Sequence, residues 1–297
     1  DPNPPWPQLD LRREAEAASA ILLARPPSQL RIVTWNVWFD TVESYRRQHA
    51  LLRELLAKAP DVACLQEVLP GFADSLRQCA EFAALYDVSP YSVSPYGVLL
   101  LVRKDMTAMF HTHELPTMMA RTLLWADVTV GAHRGLAVMT THLESLNSER
   151  VRRQQLQVAA GLLQDRPLSV ICGDFNFDDT KTWGDWRRRT PAATPDKLEN
   201  NVLRDVLPLF VDAWRAVHPD DPGYTFDGET NPACVHDRGE RMRYDRVMVS
   251  RRTDVSTGRS YRPVAVEMLG TEEMPDNDWG CKPSDHYGLA VDVEVSQ

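Results

Sequence analysis

The segment Gly-Asp-Phe-Asn at 173–176 is the first candidate for chemistry, because Asp174 and Asn176 stand two positions apart. In an extended chain, side chains at this spacing point to the same side, so the carboxylate and the amide are aimed together. Such a pair can position and activate a water molecule while the amide holds a substrate oxygen. The same residue types also form simple turns, and the segment alone leaves both interpretations open.

Two carboxylates elsewhere in the chain suit a divalent cation. Glu67 ends the apolar run 61–68, where burial of an unpaired carboxylate would be costly. Asp285 lies just before the last apolar run and adds a second carboxylate. A hard cation such as Mg²⁺, with Mn²⁺ as a substitute, takes oxygen ligands and usually keeps several waters. We therefore predict Glu67 and Asp285 as metal ligands, although Glu67 could instead cap the helix that follows it.

Two histidines are candidates for charge stabilisation or proton transfer. His286 follows Asp285 and could stabilise the charge on a transferring group or supply a proton. Asp245 is the predicted carboxylate that fixes the tautomer of His286. His142 lies where an apolar run gives way to a loop, and we predict that it belongs to the site. The remaining histidines are interpreted as structural residues: His49, His111, His113, His133, His218 and His236.

Residues beside these groups are candidates for substrate binding. Glu144 and Ser145 follow His142 closely, while Trp38 and Phe226 could offer apolar surfaces to a ligand. Burial in the core is the alternative for both aromatic residues. Nearby arginines could meet phosphates, although a charge run is more often a solvated helix face. These arginines are Arg150, Arg152, Arg153, Arg187, Arg188 and Arg189.

The elements that must position these residues alternate between strand and helix patterns. Apolar or β-branched runs predict strands at 31–37, 61–68, 97–103, 123–130, 136–143, 168–176, 244–250 and 288–295. Helical spacing predicts helices at 45–59, 71–85 and 148–165. Several of the strands are apolar throughout, as central strands covered on both faces are, whereas 123–130 alternates like a half-exposed strand. The mixture predicts sheets inside and helices outside.

Polar residues stand at or just beyond the ends of four of these strands. They are Asn36, Glu67, His142 and Asp174. Sites in open α/β architectures collect at the edge where the strands end. We therefore expect the four side chains to meet in one site.

Composition limits the classes of protein that this chain can represent. It has 297 residues, of which 43% are hydrophobic and 25% charged, and these values exclude a disordered or fibrous protein. A net charge of −9 counts against electrostatic coating of long duplexes, although a carboxylate pocket that loads a cation reverses the local field. The five cysteines stand singly, which disfavours a zinc knuckle or a disulfide framework and indicates buried thiols in a reducing compartment.

The motifs, taken in order, resemble the endonuclease/exonuclease/phosphatase superfamily. They are Thr-Trp-Asn at 34–36, Gln-Glu at 66–67, Thr-His-Leu-Glu-Ser at 141–145, Gly-Asp-Phe-Asn at 173–176, Tyr-Asp-Arg at 244–246 and Ser-Asp-His at 284–286. The resemblance spans residues 31–295. It implies a four-layer α/β sandwich of the deoxyribonuclease I type, with two packed β-sheets flanked by helices and the site at one edge. We accordingly divide the chain into an N-terminal arm and helix, 1–29, and a catalytic domain, 30–297.

Within that superfamily the chain is most similar to the 5′-tyrosyl-DNA phosphodiesterase family. The additional motifs are Tyr-Thr-Phe-Asp at 224–227, Met-Leu-Gly-Thr-Glu at 268–272 and Pro-Ser-Asp-His-Tyr-Gly-Leu at 283–289. The resemblance implies Mg²⁺-dependent hydrolysis of the phosphotyrosyl bond at DNA 5′ ends that bear a covalent tyrosyl adduct. It implies Glu67 as metal ligand, Asp174 as acid/base and His286 as the group that stabilises the transition state. It also implies phosphate contacts from Asn36, His142 and Asn176.

The chain departs from this family at two positions. The family carries an arginine near the substrate shortly after the catalytic segment, where this chain has Phe177, Asp178 and Asp179. Phe226 stands where the family has a tryptophan, which keeps an aromatic face but shortens its reach.

Other readings stay open at the level of sequence. Metal motifs alone do not separate a tyrosyl-DNA phosphodiesterase from an abasic endonuclease, an RNA exonuclease or a phosphoinositide or sphingolipid phosphodiesterase on the same scaffold. An inactive binding scaffold is disfavoured because the candidate catalytic residues are all present.

No apolar run reaches the length of about 20 residues that a membrane span needs. We expect a soluble intracellular monomer of the nucleus or cytoplasm, without a membrane partner.

Overall fold

The computed structural model describes residues 11–91, 95–130, 133–187, 194–234, 239–275 and 280–296. The predicted arm before residue 11 lies outside these ranges, as do Arg188, Arg189, His236 and the side chain of His133. The described residues form two six-stranded sheets, a two-stranded hairpin and surrounding helices. Within these ranges, no helix has both the length and the apolar character required to cross a membrane.

Strands and helices alternate along most of the chain. The strands are β1 Gln29–Asn36, β2 Val62–Val68, β3 Tyr86–Val88, β4 Gly97–Arg103, β5 Thr107–Glu114, β6 Thr122–Val130, β7 His133–His142, β8 Ser169–Asp174, β9 Phe210–Asp212, β10 Phe226–Asp227, β11 Arg241–Met242, β12 Asp245–Ser250, β13 Ser260–Leu269 and β14 Gly288–Ser296. The helices are α1 Arg12–Ala24, α2 Ser44–Lys58, α3 Pro70–Gln78, α4 Ala80–Leu85, α5 Glu149–Leu162, α6 Asn201–Val206 and α7 Ala213–Val217. Two short 3₁₀ helices span Asp185–Arg187 and Pro195–Lys197. The predicted helix 71–85 is divided at Cys79, whose backbone is extended.

The sheet topology brings the predicted strand ends together. The first sheet has the order β13-β14-β1-β2-β4-β3, and the second has the order β5-β6-β7-β8-β12-β9. Strands β1 and β2 are parallel neighbours in the first sheet, and β7 and β8 are parallel neighbours in the second. His142 pairs with Asp174 in register, and Asn36 pairs with Gln66, one residue before Glu67. Because parallel neighbours end at the same edge, all four predicted residues lie at strand ends that can share a site.

The two sheets pack face to face around the main core. Ile32, Cys64, Leu100, Val138 and Val170 from the central strands are buried in it. A second core lies between the first sheet and helices α1 to α4, and a third lies between the second sheet and helices α5 and α6. Strands β2, β4 and β8 are therefore apolar on both faces, as the sequence predicts for covered strands. The predicted four-layer sandwich is confirmed.

Strand β6 is more buried than its alternating sequence suggests. Leu124 and Ala126 face the core between the sheets, as the pattern requires. Leu123 and Trp125 point to the other face, where they pack with Leu115 in the third core. The prediction of a half-exposed strand was wrong here because the outer face is also covered.

Helix α1 packs on the same body as the rest of the chain. Leu11, Ala18 and Leu22 belong to the second core, and Arg25 donates to the Asp61 carboxylate at 2.7 Å just after the helix ends. The boundary between residues 29 and 30 stays a prediction. The five cysteines are free thiols, and the predicted burial of those in β2 and β8 is confirmed.

Candidate active site

The ends of β1 and β8 meet where the two sheets face each other, and the predicted side chains converge there. Asn36 donates through Nδ2 to Asp174 Oδ2 at 3.0 Å, so this hydrogen bond joins the first sheet to the second. Asn36 Oδ1 accepts from the backbone N–H of Trp38 at 3.0 Å, which fixes the orientation of the amide. Both side chains are buried. The amide therefore presents its N–H groups to the site.

Asp174 is surrounded by nitrogen atoms. Its Oδ1 accepts from the backbone N–H of Asn176 at 2.9 Å. Its Oδ2 lies 3.4 Å from His142 Nε2 and 3.8 Å from His286 Nε2, in addition to the bond from Asn36. A carboxylate in this position can accept a proton from a water molecule, because its neighbours compensate the changing charge.

Local backbone geometry turns these side chains toward the site. A Cβ atom on Gly173 would lie 1.9 Å from the carbonyl oxygen of Thr141, so only glycine allows β8 to approach β7 here. Glu67 and Asn176 both have left-handed backbone conformations, with φ of 57° and 58°. Such conformations are unfavourable for residues other than glycine and cluster at functional sites. Asn176 is held in addition by a hydrogen bond from its Nδ2 to the carbonyl of Leu143 at 3.1 Å.

His286 and Asp245 form a buried ion pair. The Nδ1–H of His286 donates to Asp245 Oδ2 at 2.8 Å, so Nε2 faces Asp174. Burial by itself lowers the pKa of His286, but the charges of Asp245 and Asp174 outweigh burial and raise that pKa well above its usual value. The predicted orienting role of Asp245 agrees with this geometry. His286 is therefore an imidazolium that can stabilise negative charge at the site.

Glu67 and Asp285 are two carboxylates that repel each other in a buried region. Burial, reinforced by the charge of Asp285, raises the pKa of Glu67 to about 7. Burial also raises the pKa of Asp285 to about 6, although the charge of His286 opposes it. Glu67 Oε2 accepts from the backbone N–H of Phe39 at 3.1 Å, which fixes the carboxylate at the strand end. Neighbouring buried carboxylates of this kind are stabilised by a divalent cation.

The donor set fits Mg²⁺ better than a metal held entirely by protein. Among the residues that the structure describes, no three histidine, cysteine, aspartate or glutamate side chains are grouped as a metal cage. Mg²⁺ does not need such a cage, because it keeps waters and binds through one or two carboxylates and the phosphate of a substrate. Glu67 and Asp285 supply two carboxylates of the required type.

His142 is held as a neutral imidazole. Burial, followed by the charge of Arg121, lowers the pKa of His142 to about 3. Arg121 Nη1 lies 3.1 Å from His142 Nδ1, and a guanidinium can only donate, so Nδ1 is the acceptor. The ring proton is then on Nε2, which points to Asp174. His142 can therefore donate a hydrogen bond to an oxygen at the site.

Arg121 was missed by the sequence analysis. Its Nη2 donates to Ser145 Oγ at 3.2 Å, and its guanidinium carbon lies 5.4 Å from the ring centroid of Tyr96. A small cleft is lined by both residues and by His142 and Ala120. Within the described part of the chain, the buried Nε of Arg121 has no hydrogen-bond partner. The cleft therefore combines a cation and an aromatic ring beside Asp174.

The sequence pattern of the Endonuclease/Exonuclease/phosphatase family matches residues 33–286, from β1 to His286. The chain belongs to this family. The family predicted from the order of the motifs is thereby confirmed, and the matched segment contains every residue that the preceding geometry places in the site.

Relatives within the family include proteins named tyrosyl-DNA phosphodiesterase 2. The chain is 26% identical to that of Xenopus laevis over 287 residues, which cover 94% of this chain and 70% of the relative. It is 27% identical to that of Danio rerio over 271 residues, which cover 88% of this chain and 66% of the relative. The crystal structure of the D. rerio protein (TDP2) complexed with a single-strand DNA product is similar with a TM-score of 0.72 at 25% identity, covering 90% of this chain and 99% of that chain.

Three of the predicted substrate-binding residues have different surroundings in the structure. The Phe226 ring lies 5.2 Å from the ring of His286, edge to face, so it borders the site. Trp38 is half-buried, and the guanidinium of Arg47 lies 4.3 Å above its ring. Ser145 is half-buried and bonded to Arg121. These placements are compatible with contact to a ligand, and substrate binding by these residues stays a prediction.

Glu144 has a different role from the one expected. It is fully buried, and its carboxylate accepts from Thr117 Oγ1 at 2.6 Å, from the Met118 N–H at 2.8 Å and from Gln155 Nε2 at 3.2 Å. All of these partners come from the protein, and the residue has no exposed surface through which a substrate could reach it. We therefore correct its assignment: Glu144 anchors the loop that carries Arg121.

The helix arginines also make contacts within the protein. Arg152 is fully buried and forms two hydrogen bonds with Glu199, at 2.6 and 2.7 Å. Arg153 pairs with Asp205 at 3.2 Å on the surface. Phosphate binding by these two residues therefore has no support from the geometry.

The two aspartates that replace the family's arginine belong to a buried ionic cluster. Asp178 accepts from the Arg243 N–H at 2.7 Å, and Asp179 accepts from Arg243 Nη2 at 2.7 Å. Asp212 bonds both Arg243 and Arg246 at 2.8 Å. Burial opposes ionisation of Asp212, but the charges of both arginines outweigh it and lower its pKa. The cluster ties the loop after Asn176 to the start of β12, where Asp245 lies.

Loss of one partner from this cluster should destabilise the fold. Asp212→Asn leaves buried guanidinium charge uncompensated, so we expect a loss of about 3 to 5 kcal/mol in the free energy of unfolding at pH 7. The pKa of Asp212 is lower in the folded state, so its contribution is present above its unfolded pKa of about 4 and lost at lower pH. Urea unfolding should show the difference between wild type and variant shrinking below about pH 4.

The matched control is Asp205→Asn, because that carboxylate also pairs with an arginine but lies on the surface. We expect it to change the free energy of unfolding by less than about 1 kcal/mol. Equal effects of the two substitutions would contradict the buried cluster as a source of stability.

Proposed function

We propose that this protein is a Mg²⁺-dependent phosphodiesterase that hydrolyses the phosphotyrosyl bond at DNA 5′ ends. The observation that carries the proposal is the arrangement around Asp174 Oδ2, which is bonded to Asn36 and faces the paired imidazolium of His286. A base, a fixed amide donor and a fixed cation around one point are the requirements for displacement at a phosphate. Family membership and the names of the relatives support the reaction class.

In the proposed reaction, Asp174 accepts a proton from the water that attacks the phosphorus atom. Asn36 donates to a phosphate oxygen, and His142 donates to another through its Nε2–H. His286, held by Asp245, stabilises the charge that develops on the phosphoryl group. The bond between phosphorus and the leaving oxygen breaks as the new bond forms, which yields a 5′-phosphate and a phenolate that takes a proton from solvent.

Glu67 and Asp285 would hold the divalent cation. When bound, the cation would act as a Lewis acid on a phosphate oxygen and offset the repulsion between the two carboxylates.

The cleft beside His142 favours an aromatic leaving group. A phenol has a pKa near 10 and leaves more readily than an alkoxide, so it needs little help from a general acid. Arg121 and Tyr96 place a cation and an aromatic face next to the site, and both can contact a phenyl ring. Phe226, whose ring lies against that of His286, offers an aromatic face to the first base of the DNA.

The proposal is tested with a panel of substrates in Mg²⁺. We expect fast hydrolysis of a 5′-phosphotyrosyl oligonucleotide and slow reaction with abasic DNA, poly(A) and a phosphoinositide. Frayed or single-stranded 5′ ends should react faster than blunt ends, because unpaired bases can stack. Preference for one of the other substrates would reassign the protein within the family, and no hydrolysis of any would support an inactive scaffold.

The metal site gives a separate prediction. Activity should vanish with chelator and return with Mg²⁺ or Mn²⁺, but not with Zn²⁺ alone. Glu67→Gln should lose most activity at low Mg²⁺ and recover part of it at high Mg²⁺. Mg²⁺ should also raise the thermal midpoint of the wild type and raise that of Glu67→Gln less, because a ligand bound to the folded state stabilises it. Full activity in excess chelator would exclude a metal-dependent reaction.

A further inference from the structure

We propose that residues 181–187, here called the tryptophan loop, form with Tyr224 a second nucleic-acid contact that binds the strand leading away from the scissile phosphate. The inference rests on the proposed function, because it assigns the path of the substrate beyond the first nucleotide. The occupant is single-stranded DNA, whose bases stack on aromatic rings and whose phosphates contact cations.

The tryptophan loop presents two large aromatic rings and a cation outside the hydrophobic cores. Trp183 and Trp186 are each half-buried, and their ring centroids are 5.9 Å apart at an angle of 79°. The Arg187 guanidinium carbon lies 5.6 Å from both centroids, and this residue is exposed. Neither tryptophan belongs to the cores of the described residues. Their exposed surface is therefore not explained by packing of the sandwich.

The backbone of the loop holds this platform in one shape. Thr182 donates through its N–H and its Oγ1 to the two carboxylate oxygens of Asp185, both at 2.7 Å. Gly184 has φ of 84°, a conformation that lets the chain turn between the tryptophans. A short 3₁₀ helix then carries Trp186 and Arg187. A contact that is ordered before binding loses less conformational entropy when a ligand arrives.

The loop is connected to the active site by a row of aromatic residues. Phe226 borders His286, and Tyr224 lies two residues before Phe226. Lys181 Nζ lies 4.0 Å from the ring centroid of Tyr224 and donates to the carbonyl of Arg241. Lys181 begins the tryptophan loop, so the loop starts beside Tyr224. A strand whose first base meets Phe226 can continue past Tyr224 toward the loop.

Local charge favours a polyanion at the loop in spite of the acidic chain. Both oxygens of Asp185 are engaged by Thr182, and Asp178 accepts from Thr180 and Arg243. Lys181 and Arg187 add positive charge beside the aromatic rings of Tyr224, Trp183 and Trp186. An acidic peptide attached to the leaving tyrosine is the alternative ligand, and the proposed function assigns that tyrosine to the cleft lined by Arg121 and Tyr96.

Kinetics on substrates of increasing length test the proposal. We expect kcat/KM of the wild type to rise as the 5′-phosphotyrosyl oligonucleotide grows from one nucleotide to about ten. The double variant Trp183→Ala/Trp186→Ala should lose about tenfold or more on the longest substrate and keep wild-type rates on the mononucleotide ester. The double variant to phenylalanine should retain most of the length dependence. Val255→Ala, at a position 98% exposed, is the surface control and should change nothing.

Equal losses at every length would show that the tryptophans only support the fold, and no loss at any length would remove the contact. A loss that follows the length of the peptide on the leaving tyrosine would assign the loop to protein. Binding is measured independently through tryptophan fluorescence of Asp174→Asn, titrated with an oligothymidylate, with and without the two phenylalanine substitutions. If the wild type hydrolyses no phosphotyrosyl ester, the proposed function fails, but the titration still tests DNA binding by the tryptophan loop. Quenching that depends on Trp183 and Trp186 supports the contact, and the absence of such quenching overturns it.

Discussion

Asp174→Asn is expected to lower kcat on a 5′-phosphotyrosyl oligonucleotide by about 10² to 10⁴. The amide keeps the size of the side chain but cannot accept the proton of the attacking water. The thermal midpoint should stay unchanged or rise, because Asp174 repels the buried Asp285 carboxylate and its loss relieves that repulsion. Steady-state kinetics and thermal unfolding on the same preparation provide both measurements.

Asp87→Asn, on the exposed side of β3, is the matched control and should leave both quantities at wild-type values. The assignment of Asp174 fails if the variant unfolds at a markedly lower temperature while its folded fraction turns over normally. In that case the residue would be structural.

His286→Ala should lower kcat by at least about 10², because it removes the cation that faces the phosphoryl group. The same change at the exposed His113 is the control and should have no effect on turnover. Asp245→Asn should cause a smaller loss, mainly in kcat, since the amide still holds the ring but no longer stabilises its charge. A loss confined to KM in His286→Ala would contradict its proposed role in the transition state.

The double variant Asp174→Asn/His286→Ala should lose less than the product of the two single losses. The two residues act on the same transition state, with Asp174 Oδ2 and His286 Nε2 only 3.8 Å apart. Groups that act as a unit cannot each be removed at full cost. Fully multiplicative effects would show that they act in separate steps.

Much of the fold follows from the hydrophobic pattern, because covered strands and amphipathic helices have different periods. The runs at 61–68 and 97–103 became β2 and β4 with almost the expected bounds. Strand β6 was placed correctly, but its burial was underestimated. Trp125 and Leu123 pack in a core that forms only when α5 and the loop before β6 fold over the sheet, and the local sequence does not encode that event.

Site residues that stand at strand ends could be predicted from the sequence. Residues that join the site only through tertiary contacts could not. Asn36 and Asp174 follow apolar runs, and sheet topology alone brings such residues together. Arg121 lies in the loop between β5 and β6, where no pattern marks it, and only its bond to His142 shows that it belongs to the site. Glu144 was misassigned because its sequence position beside the site does not reveal that its carboxylate turns inward to Thr117.

Strand β1 lies between β2 and β14, so one of its neighbours is close to it in the chain and the other lies far downstream. During synthesis on the ribosome, β1 and β2 emerge long before β14, and one edge of β1 has no partner until β14 follows. His286 lies just before β14 and emerges with it. A chain truncated before His286 would therefore lack the imidazolium of the site and would expose an apolar strand edge for aggregation or proteolysis.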